Sequence, residues 1–180
     1  MKWLQKCFPM GSRSLIFGVH QFLWHPYTVY RAWKSLYGRP NWREFICIII
    51  HDWGYWNSPN MDGPEGRRHP ETGARIARWL LGQEYGDLVL YHSRHYARQL
   101  GIPPSKLCWA DKLSVIYEPN WFYLLRAKLS AEIHEYRING KHEFGLDRSH
   151  SEWFDWLQGE LVKLAEAKRG DAIPYQFERG

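Results

Sequence analysis

The chain is 180 residues long, 44% hydrophobic and 24% charged, ordinary values for a globular protein, and predicts a single domain over 1–180 with a substantial core. Cys7, Cys47 and Cys108 lie far apart without a CxxC pair, which excludes a disulfide framework or a cysteine zinc site and fits a reducing compartment. The net charge of +5 is uneven: residues 1–50 carry seven Lys/Arg against one acid, Glu44, residues 51–111 balance at seven each, and residues 112–180 sum to −1. The basic N-terminal quarter reads either as a solvated face or as an attraction for a phosphate-bearing ligand or nucleic acid.

The longest apolar run, Phe45 to Ile50, is too short for a membrane span. The N-terminus is broken by Pro9, Ser12, Arg13 and Ser14 and makes a poor signal peptide, so a cytoplasmic protein is expected. With 11 Trp and 11 Tyr, the core should be well filled and an aromatic-walled pocket is available.

In chain order, a helix is predicted over 26–37, stopped by Gly38. Asn41 followed by Glu44 is a capping-box start for a second helix that runs to His51-Asp52 and ends near Gly54. The Pro, Gly, Asn and Asp of 55–68 predict a loop. Pro70 then opens a helix to Leu81, closed by Gly82. One helix is predicted from about Gly86 to Leu100, another from Pro103-Pro104 to Ile116, and another after Pro119. The last opens on Ser149 and Glu152, with Trp153, Trp156, Leu157, Leu161 and Leu164 as its apolar face; the tail after Lys168 looks loosely ordered. No strand alternation is visible. The expectation is an all-α bundle of six to eight helices, a core over about 20–117 with C-terminal helices over 119–169 packed on it.

Six residues carry metal-ligand chemistry: His25, His51, Asp52, His69, His92 and Asp111. Four imidazoles and two carboxylates can hold two metal ions side by side. His51 and Asp52 diverge by about 100° inside a helix but can converge at its end. A carboxylate has two oxygens, so Asp52 is the natural bridge. His25 and His69 each precede a proline, which predicts an imidazole at the N-cap with proline at N1. His92 is placed in mid-helix. Asp111 lies on a largely apolar helix, where burial is costly without a partner or a metal.

The segments HPYTVYRAW (25–33), IIIHDWGYW (48–56), HPETGARI (69–76), LVLYHSRH (88–95) and WADKLS (109–114) resemble the HD superfamily of metal-dependent phosphohydrolases, over about residues 20–117. The resemblance implies an HD-domain-like bundle in which His25, His51, Asp52 and Asp111 hold one metal. His69 and His92 match the expanded subset that binds two metals. That subset includes HD-GYP cyclic-dinucleotide phosphodiesterases and dinuclear-iron oxygenases. Two features depart from HD-GYP proteins. His92 and His95 are not adjacent, and Gly54-Tyr55 is followed by Trp56 rather than proline, which argues against a cyclic-di-GMP substrate.

The resemblance implies a phosphomonoesterase or phosphodiesterase acting on a nucleotide or other small phosphorylated molecule, with two divalent transition metals (Mn, Fe, Ni, Co or Zn) and a metal-activated hydroxide. Asp52, His95 and Lys112 are the candidate catalytic residues, His95 as a proton donor to the leaving oxygen or a structural residue. Arg67, Arg68 and Arg94 are candidate phosphate contacts, and Trp53 and Trp56, with Tyr55, could stack on a base. The alternatives are a dinuclear-iron oxygenase cleaving a C–P or C–C bond and a metal-binding regulatory module without turnover. His20 reads as packing, and His134, His142 and His150 as surface or structural residues.

Overall fold

Prolines, glycines and short polar side chains mark where the helices start and stop. The computed structural model describes residues 7–139 and 148–170. The tail beyond 170 and His142 lie outside the described residues, as does the side chain of Leu164. Among the described residues there are ten α-helices and no strand. They are α1 (Met10–Phe17), α2 (Trp24–Tyr37), α3 (Trp42–Ile50), α4 (Pro70–Leu81), α5 (Gln83–Leu90), α6 (Arg94–Gln99), α7 (Lys106–Ser114), α8 (Asn120–Ser130), α9 (Glu132–Asn139) and α10 (His150–Gly170). Short 3₁₀ turns at Trp53–Tyr55, Gly66–Arg68 and Val115–Tyr117 complete the set.

The capping boxes form as the sequence predicts. Asn41 Oδ1 accepts from the Arg43 and Glu44 N–H groups, both at 2.9 Å, while Glu44 accepts from the Asn41 N–H at 2.8 Å. Ser149 and Glu152 repeat the exchange at 2.8 and 3.2 Å. Gly38 and Gly82 stop α2 and α4 with φ of 82° and 108°, which glycine adopts without a Cβ penalty.

Three expectations are corrected. The single helix over 86–100 is two, α5 and α6. The chain turns at Tyr91–Ser93, Ser93 caps α6 through its side chain, and Ser105 N–H donates to the Tyr91 carbonyl at 2.9 Å. α7 begins at Lys106, after the two prolines rather than on them. The bundle has ten helices rather than six to eight because of this break, because α1 precedes the predicted set, and because Ala131, at φ 72°, divides the stretch after Pro119 into α8 and α9.

The main core joins α2, α3, α4, α5 and α7 through Val29, Trp33, Ile48, Ala77, Val89 and Leu107. Small residues at Ala32, Ala74, Ala77 and Ala110 let the helices approach closely around the large rings. A second core joins α8, α9 and α10 through Tyr123, Leu124, Ile133, Trp153 and Phe154. A buried Arg126–Glu118 ion pair sits at its edge, where Arg126 also donates to the Gly18 and Val19 carbonyls at 3.0 and 3.2 Å. Trp24 Nε1 donates to Glu118 at 2.8 Å, which ties the start of α2 to this second core.

Candidate metal centre

Five of the six predicted ligands lie at helix ends, where a side chain can face inward without displacing the core. His51 and Asp52 follow α3, and Asp52 has left the helical range at φ −98°, ψ 2°. The two side chains therefore converge, with His51 Nε2 3.2 Å from Asp52 Oδ2. His69 is the N-cap of α4 with Pro70 at N1, as its His-Pro pair predicts. His25 differs: α2 starts at Trp24, so His25 already lies inside the first turn. His92 lies at the turn after α5 rather than in mid-helix, which frees its ring from a helix flank. Asp111 comes from within α7, and its side chain is 25% exposed rather than fully buried.

The six meet in two groups that share Asp52. His25, His51, Asp52 and Asp111 form one, and Asp52, His69 and His92 the other. Asp52 Oδ2 is 3.1 Å from His25 Nε2 and 3.2 Å from His51 Nε2. Its Oδ1 is 3.5 Å from His69 Nε2 and 3.7 Å from His92 Nε2. Asp111 Oδ1 is 3.2 Å from His25 Nε2 and 3.9 Å from His51 Nε2.

Backbone carbonyls set the orientation of three imidazoles. The Nδ1 atoms of His51 and His69 donate to the carbonyls of Ile48 and Gly66, at 2.8 and 2.7 Å, and His92 Nδ1 does the same to Val89. With the proton fixed on Nδ1, the neutral ring of His69 turns the lone pair of Nε2 inward, as each of the others does once it is neutral. His69 and His92 then bring two lone pairs to 3.0 Å, a repulsive arrangement without a cation. It is also the spacing of two nitrogens at right angles on one ion, each at ~2.1 Å. Tyr55 stacks on His69 with centroids 4.0 Å apart and walls that ring in.

The donor set passes a test of fit to metal. His25 Nε2, His51 Nε2 and Asp52 Oδ2 are buried without a hydrogen-bond partner. Buried polar atoms without hydrogen-bond partners cost free energy, and a cation among these three would satisfy them. These buried His/Asp groups could hold metal ions.

Electrostatics follows the same division. Burial alone would depress His25 and His51, but Asp52 and Asp111 outweigh it and raise them to about 9 and about 10. Burial opposes ionisation of Asp52 and Asp111, yet the surrounding imidazoles hold both well below the usual carboxylate range. His69 goes the other way, pushed down to about 3 by burial and by His92, so its ring is neutral.

Comparison of the chain with protein-family models, curated proteins and solved structures yields no match. The geometry of the site carries the functional argument.

None of the other predicted site residues belongs to either ligand group. Trp53 and Trp56 are 37% and 51% exposed and meet Phe22 at 6.3 and 6.4 Å, an aromatic rim beside Asp52. Arg68 is forked onto Glu71 at 3.0 and 3.1 Å, and Arg67 Nε donates to the Asp62 carbonyl at 3.1 Å. His95 is exposed, with Nε2 3.1 Å from Gln99 Nε2. Its expected place one turn from His92 on a shared helix is lost at the α5–α6 break. Lys112 is half-buried, and its charge and that of Arg94 act on the Cys108 thiol, one helical turn before Lys112.

His20, read from the sequence as packing, has its ring 5.1 Å from His25 and 4.9 Å from Tyr55. Its partner Glu132 has no local signal in the sequence, since the two residues lie 112 positions apart.

Proposed function

We propose that the protein is a metal-dependent phosphohydrolase of the HD type with a two-metal centre. The observation that carries this reading is Asp52, whose two oxygens face different sets of imidazoles: Oδ2 toward His25 and His51, Oδ1 toward His69 and His92. That is the disposition a bridging carboxylate needs. His25, His51, Asp111 and Asp52 Oδ2 would hold one ion, and His69, His92 and Asp52 Oδ1 the other. Mixed imidazole and carboxylate ligation suits Mn, Fe, Ni, Co or Zn. Bound divalent ions supply Lewis-acid polarisation of a phosphoryl oxygen and activation of water.

Charge supports an anionic substrate. Two divalent ions bring four positive charges and Asp52 and Asp111 two negative ones, so the centre keeps about two positive charges for a phosphate. The chain's own part is orientation. Carbonyls of Ile48, Gly66 and Val89 hold His51, His69 and His92, so the donors are set before a ligand arrives. Trp53 and Trp56 offer ring faces for the rest of the substrate, such as a nucleobase. Lys112, beside Asp111 in the chain, is the proposed point charge for phosphate, while Arg68 must first leave Glu71 to reach one.

The test is hydrolysis of phosphomonoesters, phosphodiesters and nucleotides by protein loaded with Mn, Co or Ni, with Asp52→Ala beside it. The proposal predicts turnover of at least one class by the wild type and none by the variant. Identical behaviour of the two proteins refutes it. Two tightly bound irons and oxygen consumption would instead favour the oxygenase chemistry of the same superfamily.

A further inference from the structure

One polar group outside the six ligands is built toward the centre from a distant part of the chain. Glu132, at the start of α9, is fully buried. Its carboxylate accepts from the Val19 N–H at 3.1 Å, the Tyr136 hydroxyl at 2.7 Å and His20 Nδ1 at 3.2 Å. A buried carboxylate is costly unless it is paired and hydrogen-bonded, so this set of donors is what keeps it ionised there. Burial pushes Glu132 up, but His20, Ser130 and Tyr136 bring it below its ordinary value. Gly18 makes the approach possible: a Cβ there would lie 2.3 Å from Glu132 Oε1.

Ser14 Oγ holds the same ring nitrogen from the α1 side, 2.9 Å from His20 Nδ1. Both grips therefore fall on Nδ1. A carboxylate only accepts, so Nδ1 carries the proton and donates. The other nitrogen, Nε2, is turned to the metal centre, 3.9 Å from Asp52 Oδ2. That distance is too long for a hydrogen bond. His20 belongs to neither ligand group, so it stands beside the donors and not among them. Its side chain is 16% exposed, against 6% for His25 and 0% for His51, so it is less enclosed than those two imidazoles. The ring's free nitrogen thus faces the candidate metal centre.

We propose that the lone pair of His20 Nε2 accepts a hydrogen bond from a protonated oxygen of a phosphate-type oxyanion bound at the metal centre, with Glu132 and Ser14 fixing the ring for that contact. This rests on the metal-centred phosphoryl reading above.

The test is calorimetric titration of inorganic phosphate into Mn-loaded wild type, His20→Asn and His20→Gln, with Mn content measured in each. Asparagine leaves an amide near Nδ1, within reach of Glu132 and Ser14, and nothing at Nε2. Glutamine returns an amide near Nε2. Both variants should keep wild-type Mn content. His20→Asn should bind phosphate about tenfold more weakly, the worth of one hydrogen bond to a charged group, and His20→Gln should recover most of that loss. Ser14→Ala, which loosens the ring without touching Nε2, gives an independent reading: phosphate weaker by about threefold with Mn content unchanged.

Wild-type phosphate affinity in His20→Asn or in Ser14→Ala overturns the proposal. So does loss of Mn together with phosphate in His20→Asn, which would make His20 a support of the ligands, and so does a His20→Gln no better than His20→Asn. If the wild type binds Mn but no phosphate, the oxyanion reading of the centre falls and this contact with it. If it binds neither, the metal reading itself falls.

Discussion

Asp52 touches four imidazoles with two oxygens, whereas each histidine serves one side of the cluster. Asp52→Ala should therefore remove both ions, and His69→Ala only the one it shares with His92; metal analysis after Mn loading and desalting reads both. Equal losses in the two variants would contradict the division. The pH response follows from His25 and His51, raised to about 9 and about 10. Their folded values lie above the unfolded value of about 6.5. In metal-free protein their stabilisation is thus complete below about pH 6.5 and is lost as pH rises through 9 to 10. Metal must displace the same protons, so its affinity should climb with pH over that window. Thermal melts in chelator and Mn titrations at pH 7 and 9.5 should move in opposite directions. At this scale the ligands were legible because each carries its own chemistry. His20 and Glu132 were not, because their meaning lies in a contact across 112 positions of chain that no local spacing encodes.

Helix ends present five of the six candidate ligands, Asp111 being the exception, and the sequence marks most of those ends. Asn41 with Glu44, His69-Pro70 and Gly82 are local signals that act within one turn, and each appears where expected. The break at Tyr91–Ser93 has no glycine or proline to announce it. It depends on the tertiary contact of Ser105 with Tyr91 and Leu88, so periodicity alone ran one helix through it. Asn41→Ala should cost about 1 kcal/mol by removing the cap of α3, measured by chemical denaturation. Gly54→Ala is harsher, because its Cβ would fall 1.9 Å from the His69 carbonyl oxygen. Backbone must move, at a cost of about 1–3 kcal/mol, and the His69 side of the centre should lose metal before the His25 side does.

Among the described residues two large packed cores and a small one of Leu15, Tyr55 and Met61 form, with the candidate metal centre drawn from five separate elements of the chain. Arg126 and Glu118 link the second core to the connection that carries His20. Arg126→Met leaves Glu118 buried without its cation and should cost about 3–5 kcal/mol in denaturant unfolding. Ions that bind only the folded chain should stabilise all five elements together, by about 2.7 kcal/mol at a hundredfold excess over Kd, and a chelator should lower the thermal midpoint accordingly. The central claim is that Asp52 joins two metal sites. Anomalous scattering from crystals grown with Mn at neutral pH tests it most directly. The account predicts two ions in each chain, one among His25, His51 and Asp111, one between His69 and His92, and Asp52 in contact with both. No ion at either group, or a single ion with the other group empty, would contradict it.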